Sequence, residues 1–386
     1  MSHTSHSQSI PVLVLTPPAG RSRAEEWLAR ARSAAAADLV QLLSSIDDVG
    51  PIYALCAEQA DGQDLARLGA RSFDGGSEPF HFGEVLAGFA RRLNSGPLAY
   101  FGGSSAPLAS ADLLASAFEQ VRQSSHPLAV VNNLHSSDWI ILNHCRTIDR
   151  LTQRLPTDNQ LGWVLANEAG HEVISLAPLA ATRADIDTPA DLLLLKGHPG
   201  LGSRLTEILA TSPEEGLARV NRLCRILGTP GETLALIGRA SSHLWSEIER
   251  RTSIWVRLFV EERGMVASGR VERGEVLSLI AMALEGWGAQ TFMDKVARLA
   301  GGLVWDTRVW MSHRGEWPSA ADRCASDLGW FEEIADPGLR ELTQAAIEAA
   351  IPVIMGGHGV VSGGLYALLE GLDARGQMKG SHQPVR

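Results

Sequence analysis

Across 386 residues the chain carries four cysteines, Cys56, Cys145, Cys224 and Cys324, and no two of them form a CxxC pair. Thiols this sparse and scattered are expected to be free, in a reduced, cytoplasmic protein. Positive charge is also short: 34 Lys and Arg face 44 Asp and Glu, a net charge of −10. That balance excludes a nucleic-acid binder that works by neutralising phosphates. No run approaches the roughly 18–20 apolar residues of a membrane span, so no membrane partner is expected. No cationic start precedes an apolar run at the N-terminus. There is no fixed-period repeat, no coiled-coil heptad, no Walker A Gly-Lys-Ser/Thr and no well-placed GxSxG elbow.

What is present is ordinary globular material, 45% hydrophobic and 20% charged, in a chain long enough for two cores. Short apolar runs alternate with helical stretches through the first half: 11–16, 51–57, 98–102, 128–131, 139–143 and 171–176 read as strands. Asp61–Asp64 reads as a polar turn. Strand and helix in alternation imply an α/β fold with a doubly wound, mostly parallel sheet. Lys196–Ser203 (KGHPGLGS) marks a boundary, and a helical linker follows over 197–231. Strand candidates 233–238, 254–260, 303–311 and 351–355 then build a second α/β domain. The expected organisation is therefore 10–196, 197–231 and 232–376, with polar tails at 1–9 and 379–386.

Three loops of the first half fall where open α/β sheets bind ligands, at the C-terminal strand edge. Thr16–Arg23 (TPPAGRSR) offers Gly20, Arg21 and Arg23 to phosphates, or is a plain strand-to-helix turn. Gly102–Pro107 and Asn132–Trp139 are the others. With DIDTPADL at Asp185–Leu192, these pieces resemble the nucleotidyltransferases of glycosyltransferase-A-like fold, the group of the molybdenum-cofactor and phospholactate guanylyltransferases. The resemblance covers residues 10–196 and implies a nucleotide-diphospho-sugar-transferase-like fold, a nucleoside triphosphate held by the first loop, and Mg²⁺. It also implies a role for Gly103 and an Asp two residues before Pro107. Ser105 stands there instead, and a neutral hydroxyl is a poor Mg²⁺ ligand. Asp138, Asp185 and Asp187 are the candidate replacements, Asp138 and Asp187 foremost, against the reading of Asp187 as a cap for the helix that begins at Pro189.

The second half resembles no family. Asp306 and Arg308 would share one face of a strand by its period of two, with His313 in the following loop. They form either a site or an ion pair, and Arg323 and Asp327 an i, i+4 helix pair. Glu261, Glu262 and Arg263 follow a strand directly. Arg239, Ser241 and Ser242 open a helix where a phosphate can bind, or Ser241 or Ser242 caps it. The densest signal is Ile351–Tyr366, where Gly356, Gly357, His358, Gly359 and Ser362 read as a ligand-binding turn or nest. Asp306, Arg308, His313 and His358 are the candidate catalytic residues. The tryptophans crowded into this half are read as core or interface, which leaves a homo-oligomer open.

The sequence thus points to an enzyme acting on a nucleotide or phosphorylated small molecule, with a degenerate metal site. An inactive nucleotide-binding scaffold, and a transferase or hydrolase site in the second domain, are the alternatives.

Overall fold

The computed structural model describes residues 9–75, 79–94 and 96–377, which leaves the expected tails, Ser9 apart, outside it. None of the described helices is long and apolar enough to cross a membrane. The chain divides into two units. Unit 1 holds the chain up to Ala19, Arg32–Thr182 and Gly202–Leu205; unit 2 holds Gly20–Ala31, Arg183–Leu201 and the chain from Thr206 onward.

Unit 1 contains seven strands: β1 (Ile10–Thr16), β2 (Val49–Cys56), β3 (Arg71–Ser72), β4 (Leu98–Gly102), β5 (Leu128–Val131), β6 (Trp139–Leu142) and β7 (Glu172–Ser175). They lie in the order β3-β2-β1-β4-β6-β5-β7. Only β6 runs antiparallel to its neighbours. Alternate residues feed two cores, as burial on both faces of a sheet requires. Val12 and Val14 join one core with Phe101 and Trp139, and Leu13 joins the other with Phe89 and Tyr100. The expected polar turn Asp61–Asp64 lies instead within a helix, Gln59–Arg67. Its Leu65 is buried, and Asp61 accepts a hydrogen bond from the Ser33 hydroxyl at 2.7 Å.

Unit 2 carries β8 (Thr233–Gly238), β9 (Trp255–Val260), β10 (Gly302–Asp306) and β11 (Val353–Gly356), all parallel, in the order β11-β10-β8-β9. After β9 the chain crosses to the far side of β8, so the ends of β8 and β10 flank the switch point of the sheet. The expected strand 303–311 stops at Asp306. Val309, Trp310 and Met311 are instead buried on the helix Arg308–Arg314. The Asp306 carboxylate takes the Arg308 N–H at 3.2 Å and turns the chain out of the ladder. Gly315, at φ 70°, closes that helix.

Residues 183–201 belong to unit 2, although DIDTPADL had been expected to close the first domain. The reason is the glycine-rich turn after β11. A Cβ on Gly363 would sit 2.0 Å from the Arg183 carbonyl oxygen, so only glycine admits that approach.

Trp139 is fully buried and stacks on Phe101 with ring centroids 5.3 Å apart. Trp139→Ala is expected to cost about 3–5 kcal/mol in chemical denaturation.

Candidate functional site

The edge of the unit 2 sheet begins with a glycine. Gly238 ends β8 at φ 117°, and a Cβ there would meet the Asp306 Cβ at 2.6 Å. Its absence lets the Asp306 side chain cross the end of β8 and reach Arg239. Arg239 Nε donates to Asp306 Oδ2 at 2.5 Å and Nη2 to Oδ1 at 3.1 Å. Burial alone would raise the Asp306 carboxyl, but the Arg239 charge and hydrogen bonds hold it below the usual range. A two-pronged ion pair therefore sits at the switch point.

His358 lies beside it, in the 3-10 turn His358–Val361. Burial, and then the Arg239 charge, lower its imidazole to about 4, against smaller opposing effects of Asp306 and Asp187. It is neutral near pH 7, able to give one hydrogen bond and accept another. On the next element, Ser241 caps the helix Ser242–Arg251 by accepting the Leu244 N–H at 3.1 Å. His243 Nδ1 is 2.9 Å from the Tyr366 hydroxyl. Arg263 acts electrostatically on both His358 and Tyr366.

Beyond β9, burial raises the Glu261 carboxyl, moderated by a Ser278 hydrogen bond, and its Oε1 is buried without a hydrogen-bond partner. Glu262 occupies the left-handed region at φ 53°, and its carboxylate pairs with Arg270 at 3.0 Å. Strained non-glycine backbone is found disproportionately at functional edges.

The other expected residues have partners of their own. Arg308 is bound two-pronged by Asp327, at 2.9 and 2.7 Å, with both side chains buried. That pair replaces the one expected between Arg323 and Asp327. His313 is on the helix Arg308–Arg314 rather than in a loop; its Nδ1 accepts the Ser278 N–H at 3.2 Å. Gly356, Gly357 and Gly359 do not form a nest, for none has positive φ. Their bare Cα faces meet the chain itself: Val360 at Gly356, Thr188 at Gly357 and the Asp191 carboxylate at Gly359. Ser362 gives its N–H to the Gly359 carbonyl at 3.0 Å.

Thr188, not Asp187, is the N-cap of the helix Pro189–Leu195. Asp191 Oδ2 accepts the Thr188 N–H and the Thr188 hydroxyl, each at 2.8 Å. Its Oδ1 is buried without a partner. Burial, with Asp187 adding to it, pushes this carboxyl up to about 7. Asp191 and Tyr366 were not singled out in the sequence. The one visible hint of Asp191 was a third acid in the DIDTPAD run.

The first-half loops are closed by the chain's own groups. Glu58 Oε1 accepts the Ala19 N–H at 3.0 Å. Ser22 and Glu25 form a capping box at the start of the helix Arg23–Leu43, and a Gly20 Cβ would collide with the Glu25 side chain. Arg23 stacks over Trp330 at 4.3 Å and lies 3.5 Å from Glu333, while Arg21 is exposed. Gly103 gives its N–H to the Leu15 carbonyl at 2.7 Å, and the Ser105 hydroxyl is turned back onto Gly102 O at 2.7 Å. Asp138 accepts from Asn132 Nδ2 at 2.7 Å. Among the described residues no three His, Cys, Asp or Glu converge to hold a metal ion. Neither Asp138 nor Asp187 belongs to such a cluster.

No family model matches the chain, and no curated protein does. Solved structures do. A cytidylyltransferase from Leptospira borgpetersenii serovar Hardjo-bovis (strain JB197) is similar over 54% of this chain and 96% of its own, at 15% identity and TM-score 0.39. A CMP:2-keto-3-deoxy-manno-octonic acid synthetase complexed with CTP is similar over 48% and 95%, at 14% identity and TM-score 0.33. A protein of Aquifex aeolicus VF5 is similar over 45% and 90%, at 13% identity and TM-score 0.34. At these scores the likeness carries no argument about activity. The fold class, two α/β units with a mostly parallel seven-stranded sheet and a parallel four-stranded one, rests on the strand order itself.

Two outcomes follow. Gly363→Ala should destabilise by more than about 3 kcal/mol in urea denaturation, because the clash is with backbone, whereas Gly286→Ala meets nothing within 4 Å and should not. Asp191 has its folded pKa raised above the ordinary value, so its contribution is lost as pH rises from about 4 to about 7. Asp191→Asn should therefore gain on the wild type by roughly 1.4 kcal/mol per pH unit across that window. A constant difference between pH 4 and 7 would sink this assignment.

Proposed function

We propose that the chain is a nucleotidyltransferase-like enzyme acting on a nucleotide or phosphorylated metabolite, whose anionic group is received at the unit 2 sheet edge. The Arg239–Asp306 pair at the switch point carries the reading. Open α/β sheets bind ligands at that position. Asp306 occupies Arg239 through Nε and Nη2, which leaves further guanidinium N–H groups for phosphate oxygens. Asp306 fixes the fork before the ligand arrives, so less side-chain entropy is lost on binding. The N-terminus of the helix Ser242–Arg251 favours the same charge. His358, neutral near pH 7, is suited to accept or relay a proton.

A nucleoside triphosphate is the proposed co-ligand. Mg²⁺, where it takes part, would enter on the phosphates, and no step is assigned to it.

A specific observation favours a second reading for unit 1, that of a scaffold. Ala19 N–H is taken by Glu58 and the Ser105 hydroxyl is turned inward.

Thermal-shift titration with the common nucleoside triphosphates, with and without Mg²⁺, tests the proposal. A ligand at about a hundred times its Kd adds about 2.7 kcal/mol. The shift should vanish in His358→Ala and persist in Arg21→Ala. The reverse pattern would return the site to the first loop, and no shift with any nucleotide would leave the proposal without a ligand.

A further inference from the structure

β9 is the free edge of the unit 2 sheet and lacks the usual protection against edge pairing. Its sequence, Trp-Val-Arg-Leu-Phe-Val, has no proline and no lysine. The ladder to β8 runs without a bulge from Trp255 to Val260. Its one charge, Arg257, is turned aside, with Nε donating to the Leu299 carbonyl at 2.7 Å. Trp255 is 71% exposed, Phe259 38% and Val260 47%. Trp255 and Phe259 form an apolar strip on one face of the strand, from which Arg257 reaches the carbonyl of Leu299, itself 44% exposed; Trp287, on which Lys295 lies, is 49% exposed. Solvated monomers seldom leave such a strip bare.

We propose that β9 pairs antiparallel with β9 of a second copy of this chain, joining two four-stranded sheets across a two-fold axis. The backbone fixes which residues meet. Trp255 N–H bonds to Glu232 O at 2.7 Å and Glu261 N–H to Gly238 O at 3.1 Å, both inward. Alternation along a strand then turns the N–H and C=O of Val256, Leu258 and Val260 outward. A two-fold axis normal to the sheet pairs outward residues with outward residues and keeps each face on its own side. Two such registers overlap by five residues. One sets Arg257 against its own copy, and like charges directly opposite are destabilising. The other sets Leu258 against Leu258, Val256 against Val260 and Arg257 against Phe259, an apolar row on one face and cation–aromatic pairs on the other. The second register is self-complementary throughout.

The area is of the right order. Trp255, Phe259 and Trp287 together expose on the order of 300 Å² per copy, taking about 150–250 Å² for each side chain. Val260, Leu299 and the strand backbone move this toward the roughly 800 Å² per partner of a standard interface.

Sedimentation velocity of the full chain across the micromolar range should give twice the chain mass. Leu258→Pro should return it to the monomer mass with unchanged circular dichroism, since that N–H is not part of the β8 ladder. If that variant does not fold, Leu258→Cys decides. Opposed Cα atoms in such a pair lie about 5.5 Å apart, within disulfide reach. Under mild oxidation Leu258→Cys should cross-link to a dimer, while Arg257→Cys and the wild type should not. A wild type at monomer mass, a dimer that survives Leu258→Pro, or cross-linking through position 257 instead of 258 would overturn the proposal.

Discussion

One buried charge pair organises the C-terminal strand edge of the unit 2 sheet. Asp306 is fully buried at the last position of β10, where an isolated carboxylate would cost several kcal/mol. Arg239 neutralises it from the end of the neighbouring strand, and the bare Cα of Gly238 lets the two meet. The same carboxylate takes the Arg308 N–H and ends the strand. Arg308 is thereby turned toward Asp327 rather than along the sheet. A single side chain thus sets where β10 stops, where the next helix starts and how Arg239 is aimed.

A second constraint is the close packing of the turn after β11 on the segment 183–194. The glycines there have a structural task that looks, in a sequence, much like a ligand-binding one. Both demand the absence of a Cβ, and only the identity of the approaching group tells them apart. Here that group is the Arg183 carbonyl, the Asp191 carboxylate or Leu194. The price is a carboxyl with a raised pKa at Asp191, kept because its Oδ2 caps the helix Pro189–Leu195.

This explains how much could be read beforehand. Apolar runs identified ten of the eleven strands; most are buried on two faces, which imposes an unbroken apolar signal, while the exposed β9 showed by its apolar composition and the two-residue β3 gave no run at all. Arg239 and His358 were legible as polar residues following strands, and Asp306 as a polar residue within one; the structure ends that strand at Asp306 and brings the three together. The Arg308–Asp327 pair was not, since it depends on a strand-to-helix change at Thr307. An apolar stretch such as VWM suits either element, and local periodicity over three residues cannot separate them. The first-loop residues looked available for phosphate because a sequence does not show which carboxylate will fold back onto an N–H. Glu58 and Glu25 do so.

The discontinuity of unit 2 bears on how the chain can be made. Leu192–Leu195 are each at most 2% exposed, and Leu194 is covered in part by the turn at Gly364. On a ribosome adding roughly 5–20 residues per second, those leucines emerge roughly ten to thirty seconds before that turn exists. Unit 1's sheet is complete by Ser175 and can close in that interval. The leucine run cannot. During synthesis it is a natural hold point for a chaperone, and a nascent chain stalled shortly after residue 195 would be a sticky one.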